Sequence, residues 1–138
     1  MRHRKQNTKF GRSKSHRAAL VSMLVVALIK DKSIKTTVQK AKVARQAAEK
    51  MVTLARKGTV AARRLAAARL HDEGAVAKLF SEIVPMQEGR PCGFTRIVKI
   101  GQRSSDGAEM AVLAWVQEKY EPKAPATEPV AAEPAVEA

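Results

Sequence analysis

A chain of 138 residues is one domain's worth of sequence, with room for a single core and none for a separate catalytic module. Its 26 Lys and Arg against 13 Asp and Glu give a net charge of +13, which points to a polyanionic partner. The single cysteine, Cys92, excludes an intrachain disulfide and fits a reducing compartment.

The charge is unevenly placed. Residues 1–70 hold 19 Lys or Arg against Asp31 and Glu49, while the remainder holds 7 against 11. The densest stretch opens the chain. Arg2, Arg4, Lys5, Lys9, Arg12, Lys14 and Arg17 come with His3 and His16, no acid, and only Phe10 as a large apolar group. Cationic side chains this crowded repel one another and do not enter a core unpaired. Residues 1–14 are therefore expected to form an extended basic arm that a nucleic-acid backbone neutralises.

An apolar run from Ala18 to Ile29 follows, and a basic stretch before an apolar one resembles a secretory leader. The run ends in Lys30-Asp31-Lys32 instead of a small-residue cleavage site, and it falls short of the roughly 18 residues of a membrane span. It reads as a buried central helix capped by Ser13 or Ser15, in a cytoplasmic protein with no membrane partner. Ser33 to Val38 alternates, with Ile34, Thr36 and Val38 on one face, and predicts a short strand.

Thr36 or Thr37 then caps a long helix to about Lys57, with Gly58 as its left-handed terminator. Ala41, Ala44, Ala48, Met51, Val52 and Ala55 make a thin apolar stripe at 3.6-residue spacing. Lys42, Arg45, Glu49 and Arg56 lie on another face, where Glu49 is the only internal partner and the cations are expected to remain available to phosphates. Thr59 can cap a third helix to about His71, carrying Arg63, Arg64 and Arg69 beside Val60, Leu65, Ala66 and Leu70.

Asp72-Glu73-Gly74 breaks that helix. A fourth, Ala75 to Val84, buries Val76, Leu79, Phe80 and Ile83 and is expected to stop at Pro85. After a loop punctuated by Gly89, Pro91 and Gly93, Thr95–Ile100 and Ala108–Gln117 read as two strands joined by Gly101–Gly107. The folded domain is thus expected over residues 15–118. From about Lys119 the sequence is Pro, Ala and Glu, and residues 119–138 are expected to form a disordered tail.

No enzyme is legible in this chain. His3, His16 and His71 are scattered and, with Cys92, give no metal-ligand spacing. His71 beside Asp72 is a favourable partner for a helix C-terminus before it is a proton relay. Gly101–Gly107 lacks the Gly-Lys-Ser/Thr ending of a phosphate-cradling loop, leaving Arg103 as a candidate RNA contact at a hairpin tip. No cofactor, metal or small-molecule substrate is expected.

Several motifs in order add to this. Met1-Arg-His-Arg-Lys5, His16-Arg17-x-Ala19-Leu20, Ile34-x-Thr36-Thr37-x-x-Lys40-Ala41-Lys42, Glu49-Lys50, Phe94-Thr95-Arg96-Ile97 and Met110-Ala111 resemble the bacterial-type large-subunit ribosomal protein seventeen family over about residues 1–117. The resemblance implies a two-layer α/β domain of the α+β class, in the order helix, strand, three helices and a terminal hairpin, with a small mixed sheet. It also implies a structural constituent of the large subunit that binds ribosomal RNA near the nascent-chain exit, among neighbouring ribosomal proteins, on cytoplasmic ribosomes. The chain departs from the family pattern at Ser22-Met23, where an Arg-Asn pair is common, and at Cys92-Gly93-Phe94, where Gly-Gly-Tyr is common.

Within that role the expected phosphate contacts are Arg2, Arg4, Lys5, Lys9, Arg12, Lys14 and Arg17, which fix position without reading sequence. His3, His16 and Phe10 join them in the arm, with His3 and Phe10 as base-stacking groups. Lys35, Thr36, Thr37, Lys40, Lys42 and Arg45 lie at or near a helix N-terminus, where donors converge on anions; plain capping accounts equally well for the threonines. Arg63, Arg64, Arg69, Arg96 and Arg103 complete the candidate set. The alternative is a DNA-binding, nucleoid-associated protein, but such a protein is expected to carry a basic tail, and this one ends in Glu128, Glu133 and Glu137. A membrane-surface helix needs basic and apolar faces on the same helix, and here they follow one another.

Overall fold

The structure, a computed structural model, describes residues 8–117. Both the first seven residues of the basic arm and the expected disordered tail therefore lie outside the described residues. The element order is α1 (Lys14–Asp31), β1 (Ser33–Thr37), α2 (Val38–Ala55), α3 (Val60–Leu70), α4 (Glu73–Lys78), β2 (Thr95–Gln102) and β3 (Glu109–Trp115). Between α4 and β2 the helix continues through a π-helical turn (Leu79–Ile83) into a last turn (Val84–Met86). This is the expected α+β order.

Local chemistry sets most of the boundaries. The Ser13 hydroxyl accepts the His16 N–H at 3.4 Å and starts α1. Thr59 does the same for α3 through Ala62 at 3.2 Å. Thr37 holds the N-cap position of α2, yet its hydroxyl makes no capping bond, contrary to expectation. Val38 belongs to α2 and not to the strand.

Helices α1 and α2 pack against a three-stranded sheet, and α3 and α4 pack on those helices. Strand β3 is central, in the order β1-β3-β2, and both pairings are antiparallel. The mixed sheet that the resemblance implied is thus corrected. Strand β1 leaves α1 through a reversal at Lys32 (φ 63°), which lays β1 against β3 in the opposite sense. A bulge between Lys99 and Gly101 shifts the register of β2, and Gly101 takes the positive φ (114°) that the distortion needs.

Ala111, Leu113 and Trp115 of β3 are buried on the helix side, and the α2 stripe of Ala41, Ala44, Ala48, Met51, Val52 and Ala55 is buried in full. Small side chains at that seam let the helix backbone approach its neighbours closely. The other helices depart from their sequence patterns in informative ways. Helix α1 buries only Val25, Leu28 and Ile29, and Met23 is 70% exposed, so it is central at one end and superficial at the other. Helix α3 packs through Ala62, Ala66 and Leu70, leaving Val60 67% and Leu65 51% exposed.

Pro85 does not end its helix. A proline ring presses on the carbonyl four residues back and contributes no N–H; the preceding π turn, closed by the Val84 N–H on the Leu79 carbonyl, widens the backbone just before it. Polar groups then tie the layers together. Trp115 Nε1 donates to the Leu28 carbonyl at 2.9 Å, Ser22 Oγ to the Leu70 carbonyl at 2.9 Å, and Gln87 Nε2 to the Val116 carbonyl at 2.7 Å.

Asp72 joins α1 to α4. It accepts from the Ala75 N–H at 2.7 Å as N-cap and from Lys30 Nζ at 2.6 Å. Lys30, and then the Ala75 N–H, hold its carboxyl below the usual carboxylate range. A group with a depressed folded pKa stabilises above its unfolded value of about 3.9, and that contribution is lost as pH falls through the folded value. Asp72→Asn, which keeps a capping oxygen but no charge, is expected to lower the melting temperature at neutral pH. In thermal melts the gap to the unsubstituted protein should close below about pH 4; a gap independent of pH would contradict the ion pair as its source.

Candidate nucleic-acid interface

Basic side chains of three helices converge on one groove. It lies between α1, α2 and the C-terminal end of α3, has a volume of about 420 Å³, and is rimmed by Lys14, Arg17, Lys50 and Arg69. Its floor includes Val21, Val25, Val43 and Met51, and no acidic residue lines it. Among the described residues Lys14, Lys50 and Arg69 form no ion pair, while Arg17 donates to the Arg12 carbonyl at 3.4 Å. Four cations without a neutralising acid attract polyanions from a distance, and the apolar floor keeps the site shaped.

Of the described part of the arm, Thr8 and Lys14 line this groove. Arg2, His3, Arg4 and Lys5 lie outside the described residues. Lys9 is exposed, Phe10 turns the chain with φ 55°, and the Arg12 side chain donates to the Phe10 carbonyl at 3.2 Å. Lys14 and His16 are exposed on the first turns of α1, and Thr8 reaches the groove.

Helix α2 carries fewer available cations than its sequence suggests. Lys42 is exposed and Lys40 half-buried. Arg45 Nε, however, meets Glu49 Oε1 at 3.1 Å, and the same oxygen accepts from the Thr95 hydroxyl at 3.2 Å. Arg56 is exposed, but its guanidinium is engaged by the fold. Its guanidinium lies 4.5 Å from the Phe94 ring centre and donates to the carbonyls of Gln87 and Arg90. Both residues are exposed but carry internal partners, which lowers the number of cations on this face that have none.

The remaining candidates are dispersed. Arg64 and Arg69 are exposed on α3, whereas Arg63 stacks 4.7 Å above the Phe80 ring. Lys35 and Arg96 lie on the sheet face away from the helices, at the registers of Val112 and Ala114. Thr36, opposite buried Ala111, lies on the helix side. Arg103 is paired with Asp106 across the hairpin loop, Nε to Oδ1 at 2.9 Å, and this contact with the Ala108 N–H lowers the Asp106 carboxyl to about 2. Its charge is already answered locally, which makes it the weakest candidate of the set.

Lys50 and Gln46 of the groove had no place among the sequence candidates. Their signal was spatial, since only the packing of α2 on α1 brings them beside Arg17. The two departures from the family pattern also find explanations here. Ser22 spends its hydroxyl on the Leu70 carbonyl inside the fold, and Phe94 is buried beneath Arg56 with no hydroxyl to satisfy.

Comparison with known sequences decides the family. The profile described as Ribosomal protein L17 matches residues 20–116, which is most of the chain. The chain belongs to the ribosomal protein L17 family. Relatives called large ribosomal subunit protein bL17 are 50% identical over 117 residues in Methylacidiphilum infernorum (85% of this chain, 89% of the relative) and 43% identical over 124 residues in Pelobacter propionicus (90% and 98%). That of Geobacter sulfurreducens is 42% identical over 143 aligned positions (99% and 82%). L17 membership makes this chain a structural component of the large ribosomal subunit and not an enzyme. It lends no support to the alternative of a nucleoid-associated protein.

Proposed function

We propose that this L17-family chain binds large-subunit ribosomal RNA near the nascent-chain exit, through its N-terminal arm and the basic groove between α1, α2 and α3. The carrying observation is the groove itself, where Lys14, Arg17, Lys50 and Arg69 gather on three helices with no acid among the lining residues. The arm would thread between RNA segments while the helix faces dock on phosphates, fixing position without reading base sequence. The exit-region placement and the cytoplasmic ribosome as its site draw support from family membership. The sheet face away from the helices, which carries Lys35, would meet further RNA or neighbouring ribosomal proteins.

Phosphate binding releases counterions, so affinity should fall steeply with salt. Each phosphate contact contributes roughly 0.7 to 0.9 to the slope of log K against log salt. Replacing Arg63, Arg64 and Arg69 together by Gln is expected to flatten that slope by about 1 to 2, with Arg63 contributing least because it already lies on Phe80. Filter binding of a large-subunit RNA fragment over a salt series measures it. Salt-independent affinity would contradict phosphate contacts as the main source of binding.

A further inference from the structure

The groove has two chemistries, and phosphate docking uses only one. Its rim is cationic, but its floor is apolar, with Val21, Val43 and Ala47 partly exposed to the groove and Val25 and Met51 buried beneath them. A flat phosphate-docking surface needs no such hollow. At about 420 Å³ the groove lies within the range of about 300 to 1,000 Å³ typical of small-ligand pockets.

Resting on the RNA-binding function above, we propose that this groove receives one unstacked nucleobase of the bound RNA, with the flanking phosphates on Lys14, Arg17, Lys50 and Arg69. RNA is engaged chiefly where bases splay from the helix, and an extruded base presents an apolar face with charged phosphates on either side. The groove mirrors that layout. The aliphatic floor accepts the face, and the planar guanidinium groups of Arg17 and Arg69 can stack on a base as well as pair with phosphate. Gln46, exposed at the edge, offers both amide donors and an acceptor to the base edge. The Ser22 hydroxyl is not available for this, being donated to the Leu70 carbonyl.

Charge disfavours the chain's own N-terminus as occupant. Residues 1–7 carry Arg2, Arg4 and Lys5 and no acid, and like charges repel at a cationic rim. An acidic protein segment would also answer the rim, but the RNA-binding function above already supplies a polyanion whose bases are flat.

The test uses the full chain with labelled valine methyl groups. A short oligoadenylate is compared with an abasic ribose-phosphate oligomer of equal length, so that phosphates are held constant. Both should bind at low salt, the oligoadenylate about tenfold tighter. Its ring currents should shift the methyl signals of Val21, Val25 and Val43, which the abasic oligomer leaves in place. Ala47→Phe, which fills the floor and keeps every rim charge, should abolish the preference, bringing the two oligomers to equal affinity. Ala18→Leu, at an exposed position on the groove wall, serves the same purpose if the first variant does not fold. Binding of both oligomers with equal affinity and unmoved methyl signals would overturn the base pocket and leave RNA binding standing. Valine shifts produced only by deleting residues 1–7 would assign the groove to the arm and overturn the proposal. Failure of both oligomers to bind at low salt would overturn both.

Discussion

Deleting residues 2–9 is expected to cripple RNA binding and incorporation into the large subunit while the fold survives. The deletion removes four cations, Arg2, Arg4, Lys5 and Lys9; the two described residues it takes, Thr8 and Lys9, are exposed, and the buried core of the described residues begins at Val25. Four lost phosphate contacts should reduce the salt slope by about 3. The Ser13 cap of α1 is untouched. Removing residues 122–138 is the matched control. It deletes Lys123 and three acids, Glu128, Glu133 and Glu137, and should leave binding unchanged or slightly tighter because the lost segment repels phosphate. Melting temperatures should agree between the two truncations before binding is compared. A harmless arm deletion beside a crippling tail deletion would favour an interaction protein working through its acidic end.

The largest expected effect on stability lies at Trp115. The ring is almost fully buried at the end of the central strand, and its Nε1 donates to the Leu28 carbonyl at 2.9 Å. Leu28 is one of the last four residues of α1, whose carbonyls have no partner within the helix. The indole therefore fills the core and completes a helix end together. Trp115→Ala should cost about 3–5 kcal/mol, a large share of the roughly 5–15 kcal/mol of a typical domain. The melting temperature should drop by roughly 10 °C or more. Trp115→Phe keeps much of the ring and loses the donor, and should cost about 1–3 kcal/mol. Equal losses for the two variants would show that the hydrogen bond, and not the packing, dominates at this position.

The order of elements was legible because helix and strand periods are local. The α2 stripe illustrates this, since each of its six members is buried. Where the sequence misled, tertiary packing had outvoted side-chain size. Val60 and Leu65 are two of the three large apolar residues of α3, yet the helix leaves them exposed and turns Ala62 and Ala66 inward beside Leu70, because a close approach to its neighbours needs small groups. Pro85 is a reliable stop in a regular helix, and only a π turn, invisible in composition, carries the chain past it. Strand direction depended on the reversal at Lys32, which no glycine announces.

The candidate interface was legible in kind more than in place. Charge counting located the basic half of the chain. It could not see that Arg56 is spent on Phe94 and two carbonyls, that Arg103 is answered by Asp106, or that Lys50 joins Arg17 and Arg69 across a groove. Those are facts of long-range packing, and a cation's sequence neighbours do not report them.

Photo-crosslinking of the chain to RNA in assembled large subunits, with the linked peptides mapped by mass spectrometry, tests RNA binding through the arm and groove most directly. The crosslinks are expected within residues 1–17 and on the peptides carrying Lys42, Lys50, Arg64 and Arg69. Crosslinks confined to residues 118–138, or none at all where neighbouring ribosomal proteins are labelled, would contradict it.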